Sequence, residues 1–356
     1  MSQHYLLSSA VKNLSLMDLS CISEEEAFQC FCKARWGSLD KQCCDSCGVL
    51  DKHYFRKSRK QWRCKHCDSY FSVTTKTIWA DRKLPFKKMM YMLFLFTSSA
   101  NGISASTLQR LVNVNYKTAW VFCHKLRETI TRSVPIEPFT GEVHVDGGHF
   151  GGKPRGGQFR HKAKPEDIAE KIKLGKNQGA KRARSSAANR RRRQANRRIV
   201  MVVRQVKPGF GGERTRCFLS KAEDEGIAKY IATHCISPGS LVRTDENPAY
   251  TSYSAKFIHQ TVEHSREYST LEGVNNNQAE SFFSRLRRSE YGTFHRMMAR
   301  YMIDYASEMA WRDDLRRVSE KERFTKLLIA TLNSGYSRWW RGYWSGTKRN
   351  DELLAV

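Results

Sequence analysis

Two aspartates close short apolar runs: Asp146 ends "EVHVD", Asp245 ends "SLVRTD", and turn-forming residues follow each. Alternation puts His144 and Asp146 on one face of the first run and Val143 and Val145 on the other, so two strands of one sheet would bring two carboxylates to one edge. A third acid, Glu280, lies in "NNNQAESFFSRLRRSEYGTFH", where Asn275 to Asn277 read as a helix entrance and Phe282, Phe283 and Leu286 as its buried stripe. Arg287 stands two helical turns after Glu280 and Asn277 one turn before it, so all three project from one side. A single strand-end aspartate is ordinarily a turn or cap residue; the set is what points to chemistry. Asp146, Asp245 and Glu280 are hard oxygen donors suited to Mg²⁺ or Mn²⁺. Two such ions roughly 4 Å apart would serve an in-line displacement at phosphorus with no covalent protein nucleophile. Arg287 would hold a phosphate beside them.

The charge balance supplies the phosphate. Among 356 residues, 62 Lys and Arg face 35 Asp and Glu, a formal charge of +27. That surplus favours a polyanion as partner, with nucleic acid ahead of membrane. It also explains the acids, because bound cations would neutralise carboxylates that otherwise repel DNA. The beginning "MSQHYLLSSAVKNL" lacks a basic segment followed by an apolar one, so the eleven cysteines are read in a reducing compartment, the cytoplasm. The longest apolar run, Met89 to Phe96, falls far short of the roughly 18 residues of a bilayer span and reads as a buried helix. The length suggests two or three domains.

Upstream of the acids lie the elements expected to grip DNA. Cys44 with Cys47 and Cys64 with Cys67 form two C-x-x-C knuckles sixteen residues apart, the spacing of a closed four-thiolate site for one structural Zn²⁺. Cys43 and His66 are out of phase with that pattern, and Cys21, Cys30, Cys32, Cys123, Cys217 and Cys235 read as buried small apolar residues. The stretch from Ser104 to Ile130 reads as a helix-turn-helix: Ser104 caps the first helix, a turn falls near Asn113 to Asn115, and Leu108, Leu111 and Val112 pack against Trp120, Val121 and Leu126. Its second helix would present Lys117, His124, Lys125 and Arg127 to a groove. Residues 153–198 are glycine-rich and then strongly basic, a loop expected to order on phosphates through Arg190, Arg191, Arg192 and Arg193. Strand patterns at 199–206, 214–220 and 240–245, with a helix over "EDEGIAKYIATHC" and another helix-like stretch after "ENPAY", give an α/β order. "SRWWRGYW", Ser337 to Trp344, is assigned no function.

The ordered blocks "YFSVTTKTIWADRKLPFKKM", "VHVDGGHFGG", "RTDENPAY", "HSREY", "NNNQAESFFSRLRRSEYGTFH" and "YMIDYASEMAWRDDLRR" resemble those of the DDE-type transposases of bacterial insertion sequences with an N-terminal zinc ribbon, the ISXO-like group. The resemblance runs from about Arg35 to Arg317. It implies an RNase H-like mixed sheet flanked by helices, preceded by the ribbon and the helix-turn-helix, and Mg²⁺-dependent strand cleavage and transfer at terminal inverted repeats. Its first two acids fall on Asp146 and Asp245; at the third position, where the family has an acid or an asparagine, Glu280 and Asn277 both fit, and Glu280 is preferred because a carboxylate binds Mg²⁺ better than an amide. Gly147 stands where the family commonly has Glu, and the basic insertion is longer than in the family. The expected layout is a helical segment and ribbon (1–80), a helix-turn-helix (81–135), a catalytic domain (136–320) and a C-terminal tail (321–356). The expected partners are element ends and target DNA, bound by a homodimer or higher oligomer at the nucleoid. The alternatives are a DNA-binding regulator with an inactive RNase H-like domain and a nuclease that cuts without joining.

Overall fold

The computed structural model describes residues 5, 8–50, 53–151, 197–207, 209–262 and 277–355. Most of the basic insertion, with Arg190 to Arg193, and the "HSREY" block lie outside the described residues.

The first two helices, α1 (Leu16–Cys21) and α2 (Glu24–Trp36), each start at a capping box in which the Ser15 or Ser23 hydroxyl accepts from the amide three residues on and the acid there, Asp18 or Glu26, accepts from the serine's own amide. A three-stranded antiparallel sheet follows: β1 (His53–Arg56), β2 (Gln61–Cys64) and β3 (Tyr70–Phe71). One face of it, through Trp62 and Phe71, packs on Phe28 and Trp36 of α2. Next come α3 (Phe86–Ser98), α4 (Ala105–Val112) and α5 (Tyr116–Arg132). Ser104 caps α4 by accepting from the Thr107 amide, and Asn113 ends it with φ 52°, so two helices joined by a short turn form over the expected residues. Leu108 and Val112 are buried as expected, but Leu111 is exposed.

The second core is a mixed five-stranded sheet of β4 (Glu142–Gly151), β5 (Arg197–Lys207), β6 (Gly211–Ser220), β7 (Leu241–Asp245) and β8 (Ile258–Val262), in the order β6-β5-β4-β7-β8. The first three strands are antiparallel neighbours, whereas β7 pairs parallel to β4 and β8 parallel to β7. Helix α6 (Glu225–His234), capped by Asp224, carries the chain from β6 to β7. Helices α7 (Asn277–Ser289) and α8 (Ala299–Asp314) cover the opposite face. This is the RNase H-like α/β arrangement. The stretch after "ENPAY" is a short 3-10 segment, Pro248–Ala255, followed by β8 rather than a helix; "IHQTV" is β-branched and edge-exposed, a weak strand pattern.

Alternation sorts the two cores as expected. Val143, Val145 and Val203 pack with α6 residues Ile227 and Ile231, whereas Phe150, Val200 and Val202 pack with Phe282 and Phe283 of α7. Helix α9 (Glu320–Asn333) returns to the N-terminal core through Leu327, Leu328 and Leu332, and Trp340 is buried against α8. Parts of residues 321–355 thus pack against both cores. Among the described residues, no helix is long and apolar enough to cross a membrane.

His124 of α5 is buried among Trp120, Tyr301, Tyr305 and Trp340, and neither ring nitrogen has a hydrogen-bond partner. Burial, with the charges of Arg127 and Arg349, holds its pKa well below the ordinary 6.5. The unfolded chain thus takes up this proton first, and stability should fall as pH drops below 6.5, by about 1.4 kcal/mol per pH unit until the folded pKa is reached. Buried Asp304, pushed up to about 6, acts in the opposite direction between 3.8 and that value. Urea melts at pH 7.5 and 5.5 should show a larger stability loss for the wild type than for His124→Phe. Equal losses would mean that the folded protein accommodates the charged ring.

Candidate metal centres and nucleic-acid interface

The four knuckle cysteines converge. Cys44 Sγ lies 3.7 Å from Cys67 Sγ, and Cys47 Sγ lies 3.6 Å from Cys64 Sγ. Four thiolates about 2.3 Å from one zinc stand about 3.8 Å apart at tetrahedral angles, so this cluster fits Zn²⁺ without rearrangement. Cys43 Sγ instead bonds the Gly48 carbonyl at 3.6 Å. Of the other cysteines, Cys32, Cys123 and Cys235 are buried as expected, Cys30 and Cys217 are half-buried, and Cys21 is exposed.

The ribbon's free face joins rings and cations. Tyr54 and Tyr70 pair across the sheet with Arg63 between them. Arg56 lies 4.7 Å from the Tyr70 ring and Lys65 4.6 Å from the Tyr54 ring. The hydrophobic side of the sheet is spent on α2, which leaves this row outside; both tyrosines are exposed.

The second helix of the helix-turn-helix does not offer the expected face. Lys117 is exposed in its first turn, but Lys125 is half-buried, its pKa pushed down to about 8 by burial. Arg127 is 2% exposed and donates from Nε to Glu308 at 2.7 Å, and His124 is enclosed by rings. The cause is α8, which crosses α5 and supplies Glu308 and Arg312 as a buried ionic cluster. Arg127 and His124 are therefore core residues and cannot contact DNA without stranding Glu308.

The acids gather on the five-stranded sheet. Asp146 stands in the middle of ten-residue β4 rather than at a strand end, because Gly147 to Gly151 continue to pair with β5. Asp245 does end β7. The β4–β7 ladder matches Glu142 with Leu241 and His144 with Arg243, so the same register sets Asp146 level with Asp245 just past the last paired residues. The β4–β7 pairing ends there, and Asp146 accepts from the Gly147 amide at 2.7 Å while Asp245 accepts from the Asn247 amide at 3.2 Å.

The third carboxylate in this gap comes from an unexpected place. Glu223, in the turn between β6 and α6, joins Asp146 and Asp245 in a set whose oxygens lie within 4.8 Å of one another. Burial, then the charge of Asp245, pushes the Asp146 carboxyl up to about 7, with Glu223 and Glu280 adding to it. Burial also raises Glu223, opposed by the Tyr250 hydroxyl, which donates to Glu223 Oε1 at 2.7 Å. Three half-buried carboxylates converging on one gap, with burial and mutual repulsion raising Asp146 and Glu223, fit a hard divalent ion.

Glu280 lies outside that set, on the exposed side of α7, but its charge reaches Asp146. Asn277, the first residue of α7, is exposed. Arg287 is also exposed and runs its guanidinium along Phe150 and Phe283, 5.6 and 5.9 Å from their rings. Helix α7 therefore lies along β4, with Glu280 near Asp146 and Arg287 near Phe150, on one side as the seven-residue spacing requires. The close approach depends on Gly148, where a Cβ would meet the Phe283 ring at 2.5 Å.

Residues 22–69 match the family model of a transposase zinc-ribbon domain, and residues 138–314 match that of an ISXO2-like transposase domain. No curated protein matches the chain.

Proposed function

Given that the chain belongs to the ISXO2-like transposases with an N-terminal zinc ribbon, we propose that it cuts and joins DNA at the inverted repeats ending its element, using Asp146 and Asp245 with Glu280 as catalytic acids. The observation that carries this reading is the level placement of Asp146 and Asp245 on adjacent parallel strands, with α7 bringing Glu280 and Arg287 along β4. When bound between these acids, Mg²⁺ or Mn²⁺, two ions in all, would sharpen an attacking oxygen and neutralise a departing one.

The protein's own residues supply position and charge. Asp146 and Asp245 fix the cation site on a rigid sheet, and Arg287 holds a neighbouring phosphate against the Phe150 side of the strand. A water oxygen forms a bond to phosphorus as the bridging bond to O3′ breaks, and O3′ leaves as a hydroxyl. That hydroxyl then forms the new P–O bond at a target phosphodiester while the target's own O3′ departs with the proton, so the number of phosphodiesters is conserved. Asn277, exposed at the first position of the same helix, is the other candidate for the third position.

The 1–80 and 81–135 regions grip the ends and the 136–320 domain performs the chemistry. Grip falls to the ribbon's outer row and to Lys117, with Lys125 at its margin, and to Arg190 to Arg193 of the insertion. Two ends must be held together, so the working form is a dimer or larger, in the cytoplasm at the nucleoid. Arg56→Ala with Arg63→Ala should lower affinity for duplex DNA about tenfold and reduce the slope of log affinity against log salt by about 2. An unchanged slope would remove the ribbon face from the interface.

A labelled duplex carrying the repeat that flanks the reading frame, incubated with protein, Mg²⁺ and a target plasmid, tests the function. Joined products are expected. Cutting without joining would indicate a nuclease, and binding without cutting a regulator.

A further inference from the structure

We propose that Glu223 is a metal-holding carboxylate of the same site, completing with Asp146 and Asp245 the set that binds one divalent cation, while Glu280 stands further out. The inference rests on the functional reading above and adds a residue to it. Three observations beyond the proximity of charges support it. The first is the space at Gly147: a Cβ there would overlap the Glu223 carboxylate, so the strand leaves out a side chain where the carboxylate enters. Since β4 is otherwise regular and fully paired with β5 at this point, the glycine serves this approach rather than a turn. The second is the hold on Glu223. Tyr250 is buried and donates to Oε1, and it is placed by the 3-10 segment that begins at Pro248, three residues after Asp245. Asn247 caps that segment by accepting from the Ala249 amide, and Pro248 fills its first position. The run from Asp245 to Tyr250 thus supplies one acid and orients another, which is how a supporting residue fixes a ligand. The third is origin: the acids come from mid-β4, the end of β7 and the β6–α6 turn, three separate pieces of the fold, with one oxygen of each within 4.8 Å of the others. Asp224, beside Glu223, is spent on capping α6, and of this acidic turn Glu223 is the residue grouped with Asp146 and Asp245.

Tyr250 is a positioning residue and Glu223 a ligand. Manganese serves as the probe, with free Mn²⁺ followed by electron paramagnetic resonance against the full-length zinc-loaded protein, without DNA. Glu223→Gln should weaken Mn²⁺ binding at least tenfold, and Gly147→Ala, which pushes the carboxylate aside while leaving it intact, at least threefold. The Mn²⁺ concentration needed for half-maximal cutting should rise in parallel, and Glu280→Gln should weaken binding less than Glu223→Gln. Affinities of Glu223→Gln and Gly147→Ala within twofold of the wild type, with Asp146→Asn having lost binding, would overturn the role of Glu223 and leave the functional reading standing. If Asp146→Asn also binds as the wild type, the reading itself fails. Should Glu223→Gln not fold, Gly147→Ala decides.

Discussion

Asp146→Asn is expected to reduce cutting and joining at least about a thousandfold while DNA affinity stays within about twofold. Loss of residues that merely orient a metal ligand costs about 10- to 100-fold, and loss of the ligand itself must cost more. The change is nearly isosteric, and Asp146 lies between Val145 and Gly147 on a strand paired residue by residue with β5, so the sheet should keep its register. Asn also relieves the repulsion that burial and Asp245 impose on this carboxyl, so the variant should melt no lower than the wild type in metal-free buffer. Asp245→Asn should behave alike, since the register makes the two positions equivalent across β4 and β7. Gel shifts and strand-transfer assays on the same preparations check both halves; transfer within tenfold of wild type would exclude Asp146 from the chemistry.

Zinc removal should have the second large effect, on binding rather than chemistry. Structural zinc sites contribute about 10 to 16 kcal/mol to the folding of small domains. Here the metal would join Cys44 and Cys47 to the strand end at Cys64 and to Cys67, and a sheet with strands of four, four and two residues otherwise rests on its packing against α2. Chelation, or Cys64→Ser, should release one zinc per chain and open the segment around residues 40–75 to trypsin. Trp62 and Phe71 would lose their stacking, and DNA affinity should fall at least about a hundredfold. The five-stranded sheet has its own core and should retain a cooperative melt. Full affinity in the chelated protein would contradict a role for the ribbon in grip.

What the sequence disclosed follows from how local each signal is. The double knuckle is a spacing rule, and the cluster closes as read. Alternation in "EVHVD" and the Glu280 to Arg287 spacing are local geometry, and they too place side chains as expected. The outward face of α5 failed because it depends on an element about 180 residues later: α8 buries Arg127 through Glu308, and a cation on a helix face looks the same whether its partner is a phosphate or a distant carboxylate. Glu223 was missed for a similar reason. It sits in an acidic turn that reads as a helix start, which Asp224 indeed provides. The usable signal was Gly147, a glycine where the resembling family commonly has Glu; the space it leaves is filled by the carboxylate of Glu223 from another strand's end.

The central claim is that Asp146 and Asp245 share divalent cations, and anomalous diffraction from crystals soaked in Mn²⁺ tests it most directly. The account predicts a manganese peak between the two carboxylates, at coordination distance of about 2.0 to 2.6 Å from an oxygen of each. Manganese bound elsewhere on the molecule, with the gap between β4 and β7 empty at saturating concentration, would contradict it.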